Sequence, residues 1–314
     1  MTRLLVTGAD GFVGRHLVRA ARAAGSSVIA SILPTSAPPA EWQASAAGPA
    51  VEVVHADLTI AYDMNRLAEQ RPDEVVHLAA IASGAAAHRD PVTAMQVNGV
   101  GPVWLIDALV TAGSSARFLM ISTGEVYGPG HIGPIAEDAA ANPVSPYAAS
   151  KWAAEDALAG LGRSTGIPVI IARAFSHTGP GQGSAAVMPA LAARLIEAKR
   201  SGVHAVKVGN LNVTRDFLDV RDVVQAYLAL LKHGSAGECY NVASGVGHRL
   251  SDCFTMLAKL VGVDAHPSQD ASLLRPADIP VLIGDPSKLQ RTTGWAPHLS
   301  FERTLQDLVD AQAH

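Results

Sequence analysis

The sequence is poor in several things, and each shortage excludes something. Aromatic residues are only 5% of the chain, so Ala, Val and Leu must fill most of the core that its 48% hydrophobic content allows. Cysteine occurs twice, as Cys239 and Cys253. Two are too few for a disulfide framework or a cysteine-built zinc cluster, and small buried hydrophobes in a reducing compartment are expected instead. No metal site is expected. There is no basic surplus: 24 Lys+Arg stand against 28 Asp+Glu, a formal charge of −4, which argues against nucleic acid as a partner. Charged residues at 17% with high apolar content argue against disorder. No apolar run approaches the roughly 18 residues of a membrane span. Leu4-Leu5-Val6, followed at once by Gly8, is too short for a signal-peptide core. The expectation is a cytoplasmic globular protein of 314 residues with no membrane partner.

What is present is an alternation. Short apolar runs at 3–7, 27–32, 51–55, 74–79, 117–122 and 168–173 read as strands. Between them 12–24, 60–70, 91–112 and 146–165 read as helices, the first stopped by Gly25. Nearly continuous apolar strands alternating with helices fit an α/β fold with a doubly wound parallel sheet, a Rossmann fold. An eight-fold barrel fits the length but leaves the glycines after the first strand unexplained. Beyond 174 the order loosens. Helices are expected at 187–200, 220–232, 251–261 and 301–311, strands at 203–208 and 238–242, and a loop at 267–286. The expected division is a dinucleotide-binding domain over 1–175, with 217–243 returning to it. A smaller C-terminal substrate-binding lobe takes 176–216 and 244–314, leaving a crevice between the two.

Thr7-Gly8-Ala9-Asp10-Gly11-Phe12-Val13-Gly14 joins the first strand to the first helix. Gly8 and Gly11 admit turn conformations and let a pyrophosphate approach the backbone, while Gly14 lets the helix pack close. Phe12 and Val13 open the helix, whose N-terminus attracts phosphate. Position makes this glycine triplet informative: it follows the first strand directly. Asp57, with Leu58 after it, could meet an adenine amino group or cap a helix. Leu78, Ala79 and Ala80 keep the end of the fourth strand small enough for a dinucleotide to cross. An acid at the end of the second strand would bind a ribose 2′-hydroxyl and favour NAD(H), and an Arg would favour NADP(H). Neither is present. Ser31 could donate to a 2′-phosphate, so the missing acid tilts the expectation to NADP(H).

Tyr147 and Lys151 stand four residues apart, on one face of a helix. Among the 5 tyrosines only Tyr147 has Lys in that position. A nearby ammonium is expected to lower the phenol's pKa and fit it for proton transfer to or from a substrate hydroxyl. Thr123 and Glu125 offer a hydroxyl and a carboxylate at the end of the fifth strand, where ligands of such sheets sit.

Together these motifs resemble the extended short-chain dehydrogenase/reductase family, over essentially the whole chain. Thr7–Gly14 matches its TGxxGxxG, Ser122 to Gly128 its serine/threonine strand end, and Tyr147 to Lys151 its YxxxK. Arg173-Ala174-Phe175-Ser176-His177-Thr178-Gly179-Pro180-Gly181-Gln182, the stretch from Val208 to Asp222, and Leu274-Arg275-Pro276 with its continuation to Trp295 are similar to segments of its GDP-sugar reductases. GDP-mannose 4,6-dehydratases are near relatives. The resemblance implies an NAD(P)H-dependent reduction of the C4 keto group of a nucleotide-linked 4-keto-6-deoxy sugar, foremost GDP-4-dehydro-6-deoxy-D-mannose to GDP-D-rhamnose. A dehydratase or epimerase on the same fold is the alternative. By the same resemblance Tyr147 is the acid/base, Lys151 its partner and ribose ligand, and Thr123 the second hydroxyl on the substrate oxygen. Glu125 stands where dehydratases carry a base. Arg215 and Arg275 face the substrate diphosphate, and Ser176 replaces an Asn with shorter reach. A homodimer through helices 92–112 and 146–165 is also implied.

Overall fold

Apolar side chains at consecutive positions need cover on both faces, and the first half of the chain supplies it by alternating strand and helix. The structure, a computed structural model, describes residues 1–43, 50–274 and 278–313. The chain runs β1 (Arg3–Thr7), α1 (Phe12–Ala23), β2 (Ser27–Ile32), β3 (Glu52–His55), α2 (Ala61–Glu69) and β4 (Glu74–His77). It continues through α3 (Gly84–Arg89), α4 (Pro91–Met95), a π-helical stretch (Gln96–Val100), α5 (Gly101–Thr111), β5 (Arg117–Thr123), α6 (Pro146–Thr165) and β6 (Val169–Ala174). Then come β7 (Ser176–Thr178), α7 (Val187–Ser201), β8 (Ala205–Val208), β9 (Thr214–Asp219), α8 (Val220–His233), β10 (Cys239–Val242), β11 (Gly247–Arg249) and α9 (Leu250–Val261). The last elements are β12 (His266–Gln269), β13 (Val281–Leu282), α10 (Ser287–Thr293) and α11 (Phe301–Ala313).

Seven strands form one parallel sheet in the order β10-β6-β5-β4-β1-β2-β3. The doubly wound Rossmann fold read from the sequence is thus what forms. From β1 the chain winds outward through β2 and β3, then returns to β4 on the other side. The direction reverses between β1 and β4, and ligands of such sheets bind beyond the strand ends at that point. One face of the sheet packs against α1 and α8 through Leu17, Val18, Val223 and Tyr227. The other packs against α2, α5 and α6 through Leu67, Leu105, Leu109 and Leu158. A separate core joins α7, α9 and α11 around Leu191, Leu195, Phe254, Leu257 and Leu305. Here β9 pairs with β7, β11 and β13, while β12 pairs with β8.

The 91–112 helix forms as expected, with one π-helical stretch over Gln96–Val100 inside it, and Asn98 in that stretch is buried. Such bulges commonly re-aim one side chain. The 267–286 segment is not all loop, since it contains β12 and β13. Strand β9 also went unforeseen. In the 217–243 stretch, Phe217, Leu218 and Asp219 pair with β7, whereas α8 packs on α1 and β10 closes the edge of the large sheet.

Candidate active site

The turn after β1 is defined by where side chains cannot be. Gly8 has φ +65°, and a Cβ there would lie 2.8 Å from Ala79 Cα. A Cβ on Gly14 would lie 2.4 Å from Gly8 O and 2.6 Å from Ala9 O. Gly11 donates its amide to Gly8 O (3.1 Å) and stands at the start of α1, which no side chain caps. Helix α6, by contrast, is capped by Ser145. An uncapped N-terminus behind a turn without side chains is a cradle that fits a diphosphate. Phe12 and Val13 sit partly exposed in its first turn. The Phe12 ring stacks on His177 at 6.3 Å, and His16 Nε2 meets Pro180 O at 3.0 Å. The glycine turn is thereby linked to the 179–183 loop.

Across the switch point, Thr7 Oγ1 accepts from Ala79 N (3.2 Å) and lies 3.1 Å from His77 Nδ1. Leu78, Ala79 and Ala80 remain partly exposed at the end of β4, and Leu58 is buried. Asp57 Oδ1 accepts from the Thr59 amide and hydroxyl at 2.8 and 2.7 Å, and the Asp57 amide donates to Asp63. Asp57 therefore closes its own turn and does not cap α2, which starts after Ile60. Ser31 is only 3% exposed, beside Thr7 in the sheet register.

Thr123, Glu125, Tyr147 and Lys151 converge at the end of β5. Thr123 is buried, and its hydroxyl accepts from Glu125 N at 3.2 Å and acts on the Tyr147 phenol against the rise in its pKa. Lys151 is 3% exposed and donates from Nζ to Ile121 O at 2.8 Å. The expected lowering of the phenol's pKa does not occur. Burial and then the Glu125 charge push Tyr147 well above its ordinary value, with only the Thr123 contact acting the other way. The ammonium is instead engaged with the β5 carbonyl. Burial draws Lys151 down to about 8, against the opposing charge of Glu155. Loss of solvent around both groups outweighs their helical neighbourhood.

Residues the sequence did not single out surround this pair. Asn98, with no exposure, accepts from Ile81 N (2.7 Å) and donates to Ile81 O (3.2 Å) and Ser150 Oγ (3.0 Å). Ser150 in turn donates to Tyr147 O at 2.8 Å. Glu155 accepts from Ser122 Oγ and from a fork of Arg173, whose Nη2 is 2.8 Å away. The Arg173 guanidinium lies 4.7 Å from the Tyr127 ring centre, and Tyr127 donates to Asn241 at 2.8 Å. Glu155 was detectable as the next helical step after Lys151. Asn98 carried no such signal.

On the lobe side, Arg215 Nη2 pairs with Asp278 Oδ1 at 2.8 Å and Nη1 donates to Ile279 O at 2.6 Å. Ser176 stands partly exposed on β7 opposite Phe217. Arg275 lies outside the described residues. The neighbouring acids serve the scaffold. Asp216 accepts from Ser244 N and Oγ, Gly245 N and Gly284 N. Asp219 binds Arg221 and Thr304, and Asp222 accepts from His298 N and Leu299 N. Cys239 and Cys253 are both free, and burial pushes their thiols up to about 12.

A sheet wound in this order, with a diphosphate cradle at its switch point and a hydroxyl–phenol–ammonium cluster beside it, defines an NAD(P)-dependent oxidoreductase of the extended short-chain type. The chain belongs to the GDP-mannose 4,6 dehydratase family, whose profile matches residues 5–308. It is 37% identical over 311 residues to a GDP-6-deoxy-D-mannose reductase of Pseudomonas aeruginosa, spanning 98% of this chain and 96% of that protein. A solved structure described as RMD from Pseudomonas aeruginosa complexed with NADPH superposes with a TM-score of 0.85 at 35% identity, covering 99% and 98% of the two chains. The UDP-glucose 4-epimerase of Thermus thermophilus in complex with NAD gives 0.85 at 30% identity, again over 99% and 98%. Among the described residues no helix is long and apolar enough to cross a membrane.

Proposed function

We propose that this protein reduces the C4 keto group of a GDP-linked 4-keto-6-deoxy sugar, converting GDP-4-dehydro-6-deoxy-D-mannose to GDP-D-rhamnose. The carrying observation is the convergence of Thr123, Tyr147 and Lys151 beside the glycine cradle. Similarity to the Pseudomonas aeruginosa reductase over nearly the full length supports the choice of sugar. Gly8, Gly11, Phe12, Val13 and Gly14 would hold the cofactor diphosphate. Asp57, Leu58, Leu78, Ala79 and Ala80 would border its adenine and central portions, and Tyr147 and Lys151 its nicotinamide ribose. The bound reduced nicotinamide supplies hydride to C4. Thr123 orients the C4 oxygen by hydrogen bonding. Tyr147, whose phenol keeps its proton at neutral pH, delivers that proton to the oxygen as it becomes an alkoxide. A phenol so held suits reduction, since the reverse reaction needs tyrosinate. Lys151 keeps a positive charge against the growing negative one.

The missing acid after β2 favours NADP(H). Ser31 is too deeply buried to carry that preference by itself. Arg215, Arg275 and Ser176 would face the substrate diphosphate, Arg215 by leaving or sharing Asp278. We assign 1–175 with 220–243 to the cofactor unit and the rest to the substrate lobe. Val92, Met95 and Trp104 are exposed along α4 and α5, which supports a homodimer through that face and α6. Two free thiols suit a reducing cytoplasm.

A dehydratase reading rests on Glu125, whose charge acts on Tyr147 and which could take a C5 proton. The two are separated by offering GDP-4-dehydro-6-deoxy-D-mannose with NADPH and, separately, GDP-mannose without reductant. The reductase oxidises one NADPH per keto sugar and leaves GDP-mannose unchanged. Conversion of GDP-mannose without reductant would establish the dehydratase.

A further inference from the structure

Glu155 is a buried carboxylate on α6, four residues on from Lys151 and eight from Tyr147. It is 4% exposed, and a carboxylate so buried has to be compensated. Compensation comes from two strands at once. Ser122 donates from β5, and Arg173 forks from β6 with Nε 3.0 Å and Nη2 2.8 Å from Oε2. Ser122 and Arg173 are register partners. One carboxylate thus ties α6, β5 and β6 together immediately beneath the strand end. The residue before Ser122 is Ile121, whose carbonyl holds the Lys151 ammonium, and the residue after it is Thr123. Arg173 is fixed in turn by the Tyr127 face at 4.7 Å, the Trp152 face at 5.5 Å and the Glu137 carbonyl.

We propose that the buried Glu155–Arg173 pair is a positioning unit for the proposed reduction, fixing Thr123 against Tyr147 and presenting a balanced charge to Lys151. The proposal rests on the catalytic reading of Tyr147, Thr123 and Lys151 given above. The pair is close enough for its balance to matter. Glu155 raises the Lys151 pKa against the lowering by burial. Other groups face the same cluster. His77 from β4 is pushed down to about 3 by burial and then by Lys151, so it is neutral. Tyr227 from α8 and Cys239 from β10 are raised by burial and neutral near pH 7. Tyr127 behaves likewise. Glu125 at the end of β5 and Glu137 in the loop before α6 supply the remaining negative charge. Removing one member of the pair therefore changes the local charge by a full unit.

The test uses the full-length protein and the alkaline limb of kcat/KM for the keto sugar, which reports proton loss from the coupled Tyr147–Lys151 pair. Glu155→Gln leaves Arg173 uncompensated, disfavours the ammonium and moves the limb to lower pH. Arg173→Met leaves Glu155 uncompensated and moves it to higher pH. Shifts of about one unit in opposite directions are expected, each with kcat reduced and KM for the sugar nearly unchanged. Limbs that stay in place, or that move the same way in both variants, overturn the proposal. If either variant does not fold, Glu155→Asp and Arg173→Lys carry the test, since they keep both charges but shorten or narrow the contact. An unmoved limb with lowered kcat supports the unit, and unchanged kcat overturns it. If Tyr147→Phe retains full turnover, the underlying catalytic reading fails, whatever the limbs do.

Discussion

The two sides of the crevice are built on opposite principles. On the cofactor side the anion site is made by leaving side chains out: Gly8 and Gly14 sit where a Cβ would strike backbone, and α1 is left uncapped. No basic residue is needed, because backbone amides and the helix dipole do the work. On the lobe side the candidate anion ligand is a guanidinium, and it already has a partner. Arg215 is held by Asp278, within a segment where Asp216 and Asp222 each pin a loop and Asp219 holds α11 through Thr304. The first site is ready before its ligand arrives. On the proposed reading the second exchanges one anion for another, so its affinity would be a difference between two strong interactions. If both sites bind as proposed, the contrast accounts for two diphosphates on a chain of net charge −4.

The comparison can be broken most severely at Gly14. Gly14→Ala forces a Cβ to within 2.4 Å of Gly8 O, and overpacking against backbone should cost about 3 kcal/mol. Thermal melts and NADPH titration should show a destabilised protein that no longer binds cofactor measurably. Next comes Tyr147→Phe, which removes the proton donor but leaves the cradle untouched. Turnover should fall by about 10²–10⁴-fold, with NADPH affinity close to that of the unaltered protein by titration. On the lobe side, Arg215→Met should raise KM for the GDP sugar by about tenfold to a hundredfold. Its NADPH affinity should not change, and a parallel loss of NADPH affinity would erase the separation of the two sites. The smallest effect is expected for Ser31→Ala. Because Ser31 is 3% exposed, the NADPH-over-NADH preference in steady-state assays should change by less than about threefold.

The large sheet was readable because its strands are continuous apolar runs punctuated by helices, and because glycines at fixed spacing follow β1. The lobe was not. Strands β7, β11 and β13 are two or three residues long, and every residue of β12 is exposed. Such strands carry no period to detect. In the site, helical spacing put Tyr147 and Lys151 on one face. It could not show that burial, with Glu125, would raise the phenol, because that depends on what the fold stacks above it. Arg215 was picked out as a candidate anion ligand by resemblance, but its pairing with Asp278, 63 residues away, exists only in the fold. Asn98 was hidden inside an apolar helix, where nothing in the sequence marked its π-helical stretch.

The central claim is that the Thr123–Tyr147–Lys151 cluster serves hydride delivery to C4 with a proton from Tyr147. Its most direct test supplies NADPH deuterated at the transferable position together with GDP-4-dehydro-6-deoxy-D-mannose, and locates the label in the product by NMR. The account predicts deuterium at C4 of the sugar, one per NADPH consumed. A product without deuterium at C4, or turnover that leaves the labelled NADPH unspent, would contradict it.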